Sequence, residues 1–274
     1  MILTEEKILK YIILSEMNGI GPVSQNALLD VCGDIDRCFM IEEHVLSLAD
    51  EISRIGKKRI TSFVSQRNDK VLRTKAEIIL EASYKLGIDV IVREDERYPK
   101  RFVNVCHDNG IVNDLPVLIY TKGTLKINEY KDSVGIVGAR RCTADGKTNA
   151  IRIAAEEVKK NAAVVSGMAK GIDSYAHTAA IKEGGYTIAV LGNSPEICYP
   201  KEHERLYEEI IQNGCILSEY PPGTEPREYL FPERNRLIAA LSDKLYVIDA
   251  GRISGTKTTV ENAEKYGKKI YMLG

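Results

Sequence analysis

Ser166 to His177, SGMAKGIDSYAH, joins an apolar run to a helical pattern through small residues and one lysine. Ala162-Ala163-Val164-Val165 reads as a short buried strand, and Gly167, Ala169 and Gly171 then keep the turn free of bulk. Backbone N–H groups can therefore approach a ligand closely. The segment Ile172 to Lys182 carries apolar residues at helical spacing, so its unpaired first-turn amides and dipole favour an anion. Lys170 adds a full positive charge. Ser166, Gly167, Lys170 and Gly171 thus make a candidate phosphate turn, although glycines at a strand-to-helix junction also serve packing alone.

Four further stretches carry similar chemistry. Val137-Gly138-Ala139-Arg140-Arg141 follows one expected strand and precedes a helix starting near Asp145, without the spacing of a dinucleotide G-x-G-x-x-G. Arg140 there can grip phosphate through two parallel hydrogen bonds, and a cation at a helix start opposes the dipole unless an anion is bound. Leu191-Gly192-Asn193 and then Cys198-Tyr199-Pro200-Lys201-Glu202-His203 place Lys201 beside an aromatic ring, which suits a sugar-phosphate chain with bases stacking nearby. Tyr199 before Pro200 reads equally as a structural turn residue. Phe231-Pro232-Glu233-Arg234-Asn235-Arg236 opens a helix with Leu237, Ile238 and Leu241 on its apolar face, and its two arginines have the wrong sign for an empty first turn. Pairing of Arg234 or Arg236 with an internal carboxylate such as Glu219 explains one of them equally well. Ser254-Gly255-Thr256-Lys257-Thr258-Thr259, after a strand ending at Asp249-Ala250-Gly251, suits N-capping or oxyanion binding. It lacks the P-loop order G-x-x-x-x-G-K-[ST], so ATP hydrolysis is not expected.

No catalytic arrangement emerges. His177 has Asp173 four residues before it, a spacing that could orient an imidazole, but no nucleophile pairs with them. A structurally satisfied histidine is the expectation. Ser166 does not stand in a G-x-S-x-G elbow. The six cysteines show no CxxC pair and no metal-ligand spacing, so neither a metal site nor a cofactor is expected.

These residues need elements to hold them. Residues 1 to about 80 read as helical, with Leu9, Ile12, Ile13 and Met17 on the buried face of the first helix. Asn18-Gly19-Ile20-Gly21 before the next helix resembles a helix-hairpin-helix turn, whose amides hold a DNA phosphate without reading sequence, and Ile55-Gly56-Lys57-Lys58-Arg59-Ile60 is a weaker echo. A plain helical turn with a solvated basic face fits both. From Leu86 onward short apolar runs alternate with helical patterns: Val90 to Val92, Val117 to Tyr120, Val134 to Val137, Ala163 to Val165, Thr187 to Leu191, Cys215 to Leu217, Leu245 to Ile248 and Ile270 to Leu273. Near-continuous apolarity predicts strands covered on both faces, hence a parallel, doubly wound α/β sheet with ligands at the strands' carboxyl ends.

The 274 residues allow one large domain or two, and 44% hydrophobic with 28% charged residues predicts an ordinary buried core. With a net charge of −1, nucleic-acid binding would need a local basic patch. No apolar run approaches the roughly 20 residues of a membrane span, and acidic residues precede the short apolar stretch of the amino terminus. A cytoplasmic protein without a signal peptide is expected.

Taken in order, VGARR, SGMAKGIDSYAH, TIAVLGN, YPKE, LSEYPPG and FPERNRLIAAL, with MNGIGPVSQNALL and ERYPKRF before them, strongly resemble the DprA/Smf family of DNA-processing proteins. The resemblance implies a sterile-alpha-motif-like helical domain over residues 1–80 and an extended Rossmann-type domain over 86–274, its mostly parallel sheet flanked by helices on both faces. It implies a homodimer that binds single-stranded DNA, protects incoming strands in natural transformation and loads the RecA recombinase, and it implies a binding protein rather than an enzyme. Carried to matching positions, Arg140, Lys170 and Lys201 line the basic pocket together with Gly138, Ser166, Gly167 and Gly171. Phe231, Arg234, Asn235 and Arg236 complete its rim.

Two departures stand out. Where the family commonly shows SGxLxTA, this chain has Lys257 and Thr258-Thr259-Val260, and it stops at Gly274, near where many relatives continue into a glycine-rich segment and sometimes a winged helix. A weaker self-association or recombinase contact is the expectation from that ending. The alternative from another class is a nucleotide sensor or a phosphoribohydrolase of the lonely-guy type. Those enzymes carry PGGxGT followed by a glutamate, whereas Gly251 to Glu261 here has Gly255-Thr256 and Glu261 but no PGG.

Overall fold

The protein is described by a computed structural model covering residues 3–43, 56–108, 110, 113–249 and 255–274. Ile55 of the basic echo, Ala250-Gly251 after the seventh expected strand and Ser254 of the hydroxyl-rich turn lie outside the described residues. The chain divides into two compact units, Met1–Tyr98 with Val112–Ile119, and Pro99–Ile111 with Tyr120–Gly274.

The first unit carries α1 (Glu5–Glu16), α2 (Pro22–Cys32), α3 (Ile35–Met40), α4 (Lys57–Gln66), α5 (Lys70–Lys85) and β1 (Asp89–Val92). Thr4 caps α1 by accepting from Lys7 N at 3.3 Å, and Glu5 and Glu6 complement the dipole of its first turn. Leu9, Ile12, Ile13 and Met17 are buried as their spacing predicts, joined by Tyr11 and Leu14. Gly19 takes φ +76 in the turn that follows, Ile20 is buried, and Pro22 opens α2, where its missing N–H costs nothing. The Asn18 amide in that hairpin-like turn donates to Gln66 Oε1 at 2.9 Å. Lys57, Lys58 and Arg59 are exposed at the start of α4.

The second unit is an α/β layer structure. Its strands are the last residues of β2 (Leu118–Gly123), then β3 (Ser133–Gly138), β4 (Ala163–Ser166), β5 (Thr187–Val190), β6 (Cys215–Ser218), β7 (Lys244–Ile248) and β8 (Lys269–Leu273). They lie in the order β2-β6-β5-β4-β3-β7-β8. All neighbours from β6 to β8 are parallel. β2 departs from the parallel expectation by running antiparallel to β6, with Tyr120 opposite Ser218 and Gly123 opposite Cys215. The sheet is therefore mostly parallel, with an antiparallel strand beside β6.

Helices α6 (Lys100–Asp108), α7 (Ala144–Lys159), α8 (Ile172–Lys182), α9 (Glu204–Asn213), α10 (Leu230–Leu241) and α11 (Lys257–Lys265) cover this sheet. α8 packs between α7 and α9 and on β3, β4 and β5, while α10 packs on the same strands and against α6 and α11. Strands β4, β5 and β6 are buried at every position, as coverage on both faces requires. Val134, Ile136 and Val164 meet Ile153, Ala154, Ala176 and Ala180 in one core cluster. Each fully buried Val or Ile there contributes about 1.5–3 kcal/mol. β3 has β4 on one side and β7 on the other, so chain direction along the sheet reverses there and a crevice opens at the carboxyl ends.

Candidate functional site

That crevice collects the residues singled out above. Two adjoining cavities share Arg140, Ala169, Tyr199, Phe231 and Arg234; one continues to Lys170 and Leu191-Gly192-Asn193. The other, of about 570 Å³, continues to Gly138, Asn235, Asp249 and Thr256.

Arg140 is exposed at the end of β3. Its loop is pinned on both sides, because Ala139 N donates to Ile248 O at 3.1 Å and Ala139 O accepts from Ile172 N at 3.3 Å. Gly171 stands against the same loop at φ +79, and a Cβ there would strike Ala139 O and come within 2.7 Å of Arg140 O. Only glycine fits this close approach. A Cβ on Gly138 would likewise strike Ile248 O.

The turn after β4 differs from the sequence expectation in one respect. Two of its amides are already taken up inside the protein. Asp173 Oδ2 accepts from Gly167 N at 3.0 Å and from Ala169 N at 3.4 Å. In the first turn of α8, Ile172 N and Ser174 N are bonded to Ala139 O and Ala169 O. Met168, in the middle of the turn, holds φ 57, a region that non-glycine residues rarely adopt, and its carbonyl lies 3.1 Å from His203 Nδ1. Ser166 is buried and donates to Ile136 O at 2.6 Å, which makes it a strut behind the turn. Lys170 projects from the tip with its Nζ 2.5 Å from Glu202 Oε2.

α10 starts at Leu230, so Arg234, Asn235 and Arg236 fall beyond its first turn and the argument from an opposed dipole does not hold for them. Pro232 is tolerated because it still lies in the first turn. Arg234 is buried and donates to Gly167 O at 3.0 Å and to Val190 O, which ties the ends of β4 and β5 together. Burial pulls its pKa down to about 10 against the charge of Asp173. Burial also pushes the Asp173 carboxyl up, against Arg234 and the two amides. A Cβ on Gly167 would lie 2.6 Å from Arg234 Nη2, so that glycine makes room for the guanidinium. Asn235 Nδ2 donates to Gly255 O at 3.0 Å and to Thr258 Oγ1 at 2.8 Å, fixing the start of α11. Arg236 forms two bonds to Glu219, at 2.7 and 2.5 Å, and lines neither cavity. The internal-carboxylate alternative is met at Arg236.

Tyr199 and Phe231 stack at 5.4 Å with rings 18° apart, Tyr199 remaining 45% exposed. A Cβ on Gly192 would lie 2.8 Å from Phe231 Cδ1, so glycine admits that ring. Lys201 is exposed in the short 3-10 turn Lys201–His203 and lines neither cavity.

His177 is not oriented by Asp173. Its Nδ1 bonds Thr187 Oγ1 at 2.7 Å, and because Thr187 donates to Val164 O at 2.9 Å, Nδ1 must carry the proton. Nε2 is buried without a hydrogen-bond partner among the described residues. Burial, with the charges of His203 and Arg234, lowers the His177 pKa to about 3.

Sequence reasoning thus found the cations and the glycines but missed the roles of Asp173 and Glu202. An acid in the first turn of a helix is the signal for Asp173. Glu202 gives no comparable signal. Among the described residues no cluster of metal-ligating side chains occurs, and no helix is long and apolar enough to cross a membrane.

A family model described as DNA recombination-mediator protein A matches residues 89–274. DNA processing protein DprA of Streptococcus pneumoniae is 33% identical over 199 residues, covering 72% of this chain and 70% of the relative. Protein Smf of Synechocystis is 31% identical over 262 residues, covering 94% of this chain and 62% of the relative. DprA of Bacillus subtilis is 32% identical over 70% of this chain, which spans 63% of that relative. Among solved structures, DprA of Streptococcus pneumoniae superposes with a TM-score of 0.76 at 28% identity, over 100% of this chain and 88% of that one. Helicobacter pylori DNA processing protein A, solved for its single-stranded DNA binding mode, superposes with a TM-score of 0.60 at 33% identity, over 68% of this chain and 80% of that one.

Proposed function

The chain belongs to the DNA recombination-mediator protein A family, and from that premise we propose that it binds single-stranded DNA largely without regard to sequence and acts as a recombination mediator. In this reading it covers incoming strands during natural transformation, protects them and delivers them to the RecA recombinase. It works in the cytoplasm as a homodimer and as a binding protein without turnover.

The observation that carries the reading is the placement of two exposed cations, Arg140 and Lys170, on neighbouring loops of one crevice, beside the stacked Tyr199–Phe231 pair. Arginine grips a phosphate through a fork and lysine supplies a point charge, while exposed aromatic faces accept bases of any kind. Gly138 and Gly171 let these loops pack tightly on their neighbours, and Gly167 admits the Arg234 guanidinium behind them. Lys201 contributes an outer contact, and Ser166, Arg234, Asn235 and Arg236 hold the frame. The relative from Helicobacter pylori, described by its single-stranded DNA binding mode, supports the ligand class.

Titration of labelled oligothymidine against a matched duplex, at two salt concentrations and with sizing by light scattering, tests ligand and oligomer together. The expected result is salt-sensitive binding that favours the single strand, by a dimer. A flat titration at low salt rejects the reading. Release of free base from nucleoside monophosphates would favour the phosphoribohydrolase alternative instead.

A further inference from the structure

We propose that the cleft at the amino ends of β3 and β7 is a second phosphodiester site, which holds a further stretch of nucleic acid at the end of the sheet opposite Arg140. The cleft, of about 470 Å³, is lined by the start of α6, the turn through Asn128, Tyr130 and Lys131, Asp243 before β7, and the Tyr266-Gly267-Lys268 turn after α11. All of these belong to the second unit. Four cations line it, Lys100, Arg101, Lys131 and Lys268, against one carboxylate, Asp243. In a chain whose net charge is −1, this is a local excess of positive charge.

The one carboxylate is already committed. Asp243 Oδ2 lies 2.9 Å from Arg101 Nη2 and accepts from Ser133 N at 2.8 Å and from Ser133 Oγ at 3.1 Å. Burial acts to raise its pKa, but the bonds and charge of Arg101 hold it below the usual carboxylate range. Arg101 also donates to the carbonyls of Ile127, Tyr130 and Lys131, each at 3.0 Å. This guanidinium rivets the turn in place and forms the rigid floor of the cleft. It is a positioning residue here.

The grip comes from the rim. Lys100 and Lys131 are exposed, and neither pairs with a carboxylate among the described residues. The amide of Lys100 is already capped by Asn128 Oδ1 at 3.0 Å, so the ammonium rather than the helix end meets a ligand. Asn104, exposed one turn along α6 from Lys100, adds a neutral donor on the same face. Two hydrated point charges on separate elements around an open cleft suit successive phosphates of a strand, because lysine imposes no fixed fork geometry. A lone phosphate ion finds no buried donor there to fix it. β3 runs from Ser133 to Gly138, so this cleft and the Arg140 crevice lie at opposite ends of the same strand, about 20 Å apart. The second site therefore does not depend on occupancy of the first.

Lysine acetylation followed by mass spectrometry, on the full chain with and without oligothymidine, reads the two sites separately. The expected result is a severalfold slowing at Lys100 and Lys131 as well as at Lys170, and the slowing at Lys100 and Lys131 persists in the Arg140→Gln/Lys170→Gln variant. Lys100→Glu/Lys131→Glu should weaken oligonucleotide binding with an unchanged melting temperature, and should flatten the plot of log affinity against log salt by about 1.4, or about 0.7 for each lost phosphate. Protection of Lys170 with unaltered rates at Lys100 and Lys131 overturns this site and leaves the proposed function standing. Inorganic phosphate protecting Lys100 and Lys131 as well as the oligonucleotide does overturns the nucleic-acid assignment. Protection at none of the three lysines overturns both proposals.

Discussion

The ammonium of Lys170 lies 2.5 Å from the carboxylate of Glu202, so the cation at the tip of the β4–α8 turn is held by an acid from the turn that follows Tyr199-Pro200. Both side chains are about half exposed, at 52% and 55%, and a pair of that kind contributes only about 0–1 kcal/mol. A phosphate entering the crevice can displace the carboxylate at little cost. Until then Glu202 masks the charge on which the proposed contact depends.

Replacing Glu202 by Gln removes that mask without changing shape. Oligothymidine affinity should rise severalfold at low salt, and the salt dependence should steepen by up to about 0.7 in log–log slope as Lys170 becomes fully available. Fluorescence anisotropy across a salt series measures both. Equal affinity and slope in the variant and the parent would mean that Lys170 touches no phosphate.

Arg140 is exposed and its side chain bonds to no partner among the described residues, so its removal should act on binding alone. Arg140→Gln should lose about 1.5–3 kcal/mol of binding free energy, roughly 10- to 100-fold in affinity, for one charge-assisted contact. Its thermal midpoint should match the parent. A fall in melting temperature that parallels the loss of affinity would assign Arg140 to the framework.

Arg236 predicts the reverse pattern. Its guanidinium and the Glu219 carboxylate are only 14% and 10% exposed and bonded to each other twice. Arg236→Ala strands Glu219 in that setting and should cost about 3–5 kcal/mol of stability. Arg236→Met together with Glu219→Gln should recover most of it, since neither side chain then carries an uncompensated charge. Urea denaturation gives the stabilities, and oligonucleotide titration of the folded fraction should show little change.

His177 makes a prediction about acid. The folded chain keeps the imidazole neutral down to about pH 3, against an ordinary value of 6.5 in the unfolded chain. Between those values the unfolded state binds one more proton, so stability present above pH 6.5 is lost as the pH falls, by at most about 1.4 kcal/mol per pH unit. His177→Asn should therefore flatten the stability profile relative to the parent as the pH falls below 6.5. Asp173, whose carboxyl burial pushes up, titrates in both proteins and largely cancels in the comparison. Identical slopes would show that His177 is protonated within the fold.

Much of the architecture is legible in the residues alone. Val134 to Val137, Ala163 to Val165 and Cys215 to Leu217 are apolar throughout, and the strands they mark are buried on both sides. Ile172 to Lys182 has the spacing of a helix, and α8 occupies that span. Glycines at 138, 167 and 171 mark turns where a Cβ would collide with a neighbouring chain segment. Each of these signals is local, because periodicity and residue size record which groups leave water and how tightly a chain can bend.

The partners of the charged residues are of another kind. Lys170 meets Glu202, Arg236 meets Glu219 and Arg101 meets Asp243 across 32, 17 and 142 positions of sequence. Asp173 looks from sequence like a partner for His177 and instead occupies two amides of the phosphate-like turn. The amino-acid sequence by itself determined where strands, helices, tight turns and cations occur. Only the tertiary structure decided which cations remain available to an anion and which are spent on carboxylates and carbonyls, because a charge is neutralised by whatever folding brings within about 4 Å of it, a distance unrelated to separation along the chain.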